Sequence, residues 1–460
     1  MTSLPGLAET ADHALPLHAA TPATFAAWRA QQTPAVQAWL QAQGFTAAAG
    51  TYALLPGSDG LAGAVLGVAD LRDPFAWAHA PYALPAGDWG MADALDDEAR
   101  AALQLGWGLG SYRFTRYRAA SRAPARLVGA IDADIAAQIA ACVRVRDLVN
   151  TPTEDMGPAD LEAVTREIAQ THGADIDVLV GDDLLLHNFP AIHAVGRASH
   201  RDPRLIVLHW SAQDSAQGEL PHIAIVGKGV CFDTGGLDVK AAAGMRNMKK
   251  DMGGAAHAIA LAELIMARKL PVRITLLVPA VENAIGPNAY RPGEVIATRK
   301  GVSVEIDNTD AEGRVVLCDA LAYAAEQKPQ LIVDFATLTG AARVALGPDL
   351  PALFGNDDAV ANAWLDAGLR TFDPLWRMPL HRPYMRYLSS GIADIANGSN
   401  TPMAGCITAA LYLDRFVPSD QPWVHLDVYS WNDSDRPGRP AGGEAQALRA
   451  CYTMLKTRFA

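Results

Sequence analysis

The chain has 460 residues, of which 50% are apolar and 19% charged, the composition of a folded protein and not of a disordered or low-complexity one. That length leaves room for two or three domains, or for a small domain attached to a large one. With 50 acidic and 38 basic side chains the formal charge is −12, the wrong sign for capturing polyphosphate, so nucleic acid is not expected as a partner. Five cysteines (Cys142, Cys231, Cys318, Cys406, Cys451) stand singly with no CxxC pair, which fits reduced thiols in a cytoplasmic protein. The first residues, MTSLPGLAETADHALPLHAA, lack the basic start and unbroken apolar core of a secretory signal. Charges and a proline interrupt the most apolar stretches: Glu263, Arg268, Lys269 and Pro271 within 255–281, and Asp334 and Arg343 within 331–347. No membrane span is expected.

In chain order, residues 1–128 read as a smaller N-terminal α/β domain. They contain an alanine-rich helical stretch over 24–43, broken at Pro34, and irregular Pro/Gly/Trp segments around 73–90. Over 131–149 apolar residues recur at three- and four-residue steps (Ile135, Ile139, Cys142, Val143), and the pattern stops at Asn150-Thr151-Pro152. This spacing predicts a helix across 129–150 that links two domains. In 151–460, β-branched runs at 176–180, 205–210, 223–226, 272–278, 331–335 and 423–428 predict strands, with helices predicted at 254–268, 315–327 and 404–416. The alternation implies an α/β domain whose mixed, mostly parallel sheet is flanked by helices. In such sheets chemistry collects in loops beyond the carboxyl ends of the strands.

Those loops carry the informative charges. GKGVCFDTGGLDVK (227–240) sets Lys228, Asp233, Asp238 and Lys240 among four glycines, MKKDMGG (248–254) ends in a glycine pair that opens a helix, and NTDAEGR (308–314) places Asp310, Glu312 and Arg314 at alternate positions. If that last segment is extended, the three side chains point to one side. Carboxylates converging on one spot are driven toward protonation unless cations neutralise them, and two divalent metals would do so. A lysine in such a cluster either stays a point charge or binds a metal through its neutral amine. An oxygen-rich set with one nitrogen suits Zn²⁺ or Mn²⁺. HExxH, GxSxG and GxxxxGK[ST] are all absent from the sequence.

At these residues the sequence resembles the cytosolic leucyl aminopeptidase family of two-metal exopeptidases. NTDAEGR matches that family's signature without a change, and GKGVCFDTGG, Lys240, MKKDM, RPGEV (291–295) and ATLTGA (336–341) follow its order. The likeness covers roughly 140–427 and extends weakly back through ALQLGWGLGSYRFTRY (102–117). It implies that Lys228, Asp233, Asp251, Asp310 and Glu312 are metal ligands, with Asp233 and Glu312 bridging. It further implies that Lys240 donates to the developing oxyanion, that Arg314 holds a bicarbonate acting as general base, and that a metal-bridging hydroxide removes the N-terminal residue from short peptides with a free amine. A homo-hexamer, a dimer of trimers with enclosed active sites, follows from the same likeness. Lys249 and Lys250 read as flanking residues, Asp238 as structural or solvated, and His257 as a packing or surface histidine. Two alternatives stand beside this reading: a two-metal phosphoesterase, and a metal-binding structural or DNA-associated protein.

Met248, Thr337, Leu338 and Gly340 match the family's pocket for the first side chain. After Asp427 the sequence departs from the family: Tyr429, Trp431 and Asn432 replace smaller or softer groups. Tyr429 and Asn432 are therefore expected to make the pocket smaller or more polar, weakening any preference for leucine.

Overall fold

The computed structural model describes residues 4–212 and 220–459. The chain separates into two compact units, Met1–Val143 with Asn432–Gly442, and Arg144–Trp431 with Gly443–Ala460. The boundary falls inside the helix Ala133–Asn150, which occupies the span predicted as a linker. Residues 432–442 group with the first unit although the chain on either side of them belongs to the second.

The first unit is built on a six-stranded sheet in the order Leu7–Ala8, Arg126–Val128, Asp88–Met91, Leu15–Ala20, Gly60–Gly67 and Tyr52–Gly57, parallel except for its last pair. Pro34 does interrupt the alanine-rich stretch. It opens the helix Pro34–Ala42, whose N-cap Thr33 accepts from Val36 N, while the preceding helix covers Phe25–Ala30. The helix Asp97–Ser111 starts at Asp96, whose side chain accepts from Ala99 N at 2.8 Å, and buries Leu103 and Trp107 in this unit's core.

The second unit contains a nine-stranded mixed sheet. Its centre is parallel: Trp423–Asp427, Leu331–Ala336, His222–Gly227 and Arg273–Asn283 lie side by side. Antiparallel partners Arg204–Ser211 and Ala352–Gly355 flank that centre. All six predicted strands are present to within a few residues, because an unbroken run of β-branched and apolar residues suits a strand buried on both faces. Alternate residues serve opposite layers. Ala224, Val226 and Ile332 pack with Val315–Ala325 of the helix Glu312–Glu326, whereas Phe335 stacks on His257 of the helix Gly253–Ala267 at 5.7 Å. Because the central strands are parallel, the segments that follow Gly227, Ala336 and Asp427 emerge at one edge of the sheet.

One expectation is corrected. NTDAEGR is not extended: Asn308–Ala311 form a turn and Glu312 opens a helix that also contains Arg314. The turn is held from outside, since Asn397 Oδ1 accepts from Asp307 N and Asn308 N at 2.9 and 3.1 Å while Asn397 Nδ2 donates to Asn308 O at 2.7 Å. Asp310 and Glu312 thus reach the same place by a turn and a helix start, not by strand alternation.

Candidate metal centre and active site

Beyond the strand His222–Gly227 the backbone delivers Lys228 directly into a cavity of about 450 Å³ at the sheet edge. Lys228 Nζ lies 2.8 Å from Asp251 Oδ2, 2.8 Å from Glu312 Oε1, and donates to Thr337 O at 2.8 Å. The helix Glu312–Glu326 passes so close to this amine that a Cβ at Gly313 would meet Lys228 Cε at 2.6 Å, which explains the glycine in the signature. Asp251 comes from the short helical turn Met248–Met252, fixed by the bond from Thr337 Oγ1 to Asp251 O at 2.8 Å.

Asp233 ends the strand Gly229–Asp233, which pairs in parallel with Arg273–Asn283. Its Oδ1 accepts from Gly235 N and Asn283 Nδ2, both at 2.8 Å. The chain turns there through Gly235 and Gly236, with φ of +87° and +65°, a left-handed pair that other residues adopt at a cost. The turn brings Lys240 back, its Nζ 2.7 Å from Asp233 Oδ2 and paired also with Asp310. Of the two parts open to Asp238, structural or solvated, the structure shows the first: it accepts from Thr309 N at 2.8 Å and from Thr309 Oγ1 at 3.1 Å.

The electrostatics are those of a crowded, water-poor site. Burial, reinforced by Asp251, raises Asp233 to about 6, and burial with the Asp233 charge raises Glu312 to about 8. Burial also opposes ionisation of Asp251, but Lys228 and Lys250 outweigh it and the carboxyl sits below its ordinary value. For Lys228 and Lys240 the penalty of burial is overcome by the surrounding carboxylates, and both are held above the usual lysine range.

Two observations test whether this set fits metals. Asp233, Asp310 and Glu312 offer oxygens within 4.8 Å of one another. Glu312 Oε2 is buried with no hydrogen-bond partner, a costly state for a carboxylate that a cation would relieve. The residues present therefore fit a pair of hard divalent cations.

Met248, Thr337, Leu338, Gly340 and Tyr429 line the same cavity as the five carboxylate and lysine residues and Lys240. Arg314 and Asn432 do not. Arg314 is buried, donates through Nη1 to Asn397 O at 2.7 Å, and leaves Nε without a partner. Asn432 is buried in the first unit, its Nδ2 donating to Pro440 O at 3.1 Å and its Oδ1 accepting from Arg436 Nη2 at 3.0 Å.

The description "Cytosol aminopeptidase family, catalytic domain" matches residues 143–452, and the description "M17 aminopeptidase, N-terminal domain" matches residues 15–129. The chain belongs to the cytosol aminopeptidase family. It is a metal-dependent aminopeptidase of that dinuclear exopeptidase family, with the family's two-domain α/β fold. A probable cytosol aminopeptidase of Roseiflexus castenholzii is 39% identical over 385 residues, covering 80% of this chain and 78% of that one. The crystal structure of a cytosol aminopeptidase from Coxiella burnetii superposes with a TM-score of 0.94 at 48% identity, covering 98% and 99% of the two chains. The bottromycin maturation enzyme BotP, in complex with Mn, superposes at 0.86 with 33% identity over 97% and 99%. These likenesses favour neither the phosphoesterase nor the DNA-associated alternative.

Three residues of the aminopeptidase site escaped the sequence reading. Asn283 and Asn397 orient Asp233 and the signature turn, but isolated asparagines carry no local signal. Lys250, taken as a flanking residue, is instead buried and lines the cavity, with Nζ 5.0 Å from the Tyr429 ring centre. Lys249 does remain outside that wall, donating to Asn150 O at 2.5 Å.

Proposed function

We propose that Lys228, Asp233, Asp251, Asp310 and Glu312 would hold two divalent cations, Zn²⁺ or Mn²⁺. The observation that carries this reading is the unpartnered buried oxygen of Glu312 among carboxylates whose direct ion pairs, among the described residues, are to Lys228 and Lys240. Bound cations would supply an activated water at neutral pH and polarise the scissile carbonyl. Around them, Asp251 lies where a free N-terminal amine is received, Lys240 remains charged and donates to the oxygen on which charge develops, and Met248, Thr337, Leu338, Gly340 and Tyr429 surround the first side chain. The open Nε of Arg314 suits a small anion such as bicarbonate, which can take a proton where a guanidinium cannot. Asn432 is hydrogen-bonded to Pro440 O and Arg436 and is not part of the proposed pocket.

The substrates on this reading are short peptides with a free N-terminus, and the working form is a homo-hexamer in the cytoplasm. Aminoacyl anilides with free and acetylated amines test it: turnover should be confined to the free amines, and equal cleavage of both would overturn it. Light scattering on active enzyme should give the mass of six chains, and a monomer would refute that part.

A further inference from the structure

Part of the cavity wall carries positive charge that, among the described residues, has no direct ion pair. Lys250 is 7% exposed, yet among the described residues no carboxylate pairs with its ammonium and no hydrogen bond satisfies it. Arg343, exposed on the helix Gly340–Leu346, also has no ion pair among the described residues and lines the cavity. Both cations are gathered on one ring: Arg343 Cζ lies 4.4 Å and Lys250 Nζ 5.0 Å from the centre of Tyr429. Cation–π contact softens the burial of an ammonium but does not replace its lost hydration. The acids nearby are already engaged. Asp251 is turned to Lys228, while Asp427 accepts from Leu338 N and Thr339 N through Oδ1 and from Thr339 Oγ1 through Oδ2.

We propose that Lys250, Arg343 and Tyr429 form a subsite for a substrate carboxylate, and that this aminopeptidase acts on peptides beginning with glutamate or aspartate. The inference rests on the placement of the first side chain against Tyr429 proposed above. A carboxylate entering there accepts from the Lys250 ammonium and meets the Arg343 fork, and its methylenes pack on the phenol ring. A peptide's C-terminal carboxylate has the same chemistry, so the assay must separate the two sources.

Glutamyl, glutaminyl, leucyl and alanyl anilides contain no C-terminal carboxylate, and Leu-Gly and its amide differ only in having one. The expected result is kcat/KM for the glutamyl anilide about tenfold or more above the isosteric glutaminyl anilide, and a fall in that ratio of about tenfold in Arg343→Gln, whose exposed position spares folding. Lys250→Met should lower the ratio further. Equal rates on the glutamyl and glutaminyl anilides, or an unchanged ratio in Arg343→Gln, would overturn the proposal. An advantage seen only for Leu-Gly over its amide would overturn it as well, moving the carboxylate to the second residue. Cleavage of the leucyl anilide reports the aminopeptidase reading separately, so its loss and the loss of acidic preference are distinguishable.

Discussion

Lys228 and Lys250 line the same cavity and are almost equally buried, at 2% and 7% exposed, but their surroundings drive them in opposite directions. Lys228 stands between Asp251, Glu312 and a carbonyl and is held above the ordinary lysine range. Lys250 faces an aromatic ring, and burial lowers it to about 8. Burial alone disfavours an ammonium, and only converging carboxylates reverse the sign. On the readings proposed above, the wall around Lys228 suits added cations and the wall around Lys250 an added anion.

The sharpest way to break this contrast is Glu312→Ala. It removes a carboxylate proposed to hold the cations and should abolish turnover and metal uptake together, as chelation should, with Zn²⁺ or Mn²⁺ restoring activity and melting temperature only in the wild type. Metal analysis beside activity checks it; full activity without bound metal would refute the reading. Lys240→Ala should act more narrowly, keeping the metals while lowering kcat by about 10²–10³, since one donor to the developing charge is lost. An unchanged kcat would remove Lys240 from the reaction.

On the other wall, Tyr429→Ala should raise kcat/KM for the leucyl over the alanyl anilide, by an amount on the order of 1–3 kcal/mol, because the ring that narrows the first-side-chain pocket is gone. An unaltered leucine-to-alanine ratio would show that the ring does not border that side chain. The smallest effect concerns stability of the metal-stripped protein. Glu312 is raised from 4.5 to about 8, so the folded state holds a proton that the unfolded state releases, and stability should fall as pH rises through that window. Glu312→Gln should flatten this slope by a few degrees in thermal melts, and an identical slope in both proteins would contradict the assignment.

The central strands of the second unit were legible because runs such as LIVDF announce a buried parallel strand. Gly229–Asp233 was not, since it lies among glycines and charges that read as a loop, and Ala352–Gly355 is too short to stand out. The sheet of the first unit was hidden for a related reason: GLAGAVLG at 60–67 is rich in glycine and alanine, and its strand character comes from pairing with neighbours on both sides. At the site, residue types and chain order exposed the carboxylates and lysines, but not their geometry. The signature turn is shaped by Asn397, more than eighty residues away, and the surroundings of Lys250 are set by Tyr429, itself far off in the sequence.

The reach of Asn397 has a consequence for biosynthesis. A nascent chain that has emerged past Glu312 already carries Lys228, Asp233, Asp251, Asp310 and Glu312, but the residue that clamps Asp307, Asn308 and the Arg314 guanidinium is still untranslated. Because domains fold as units during synthesis, the cluster should take its final shape only after Asn397, 85 residues beyond Glu312, has left the ribosome.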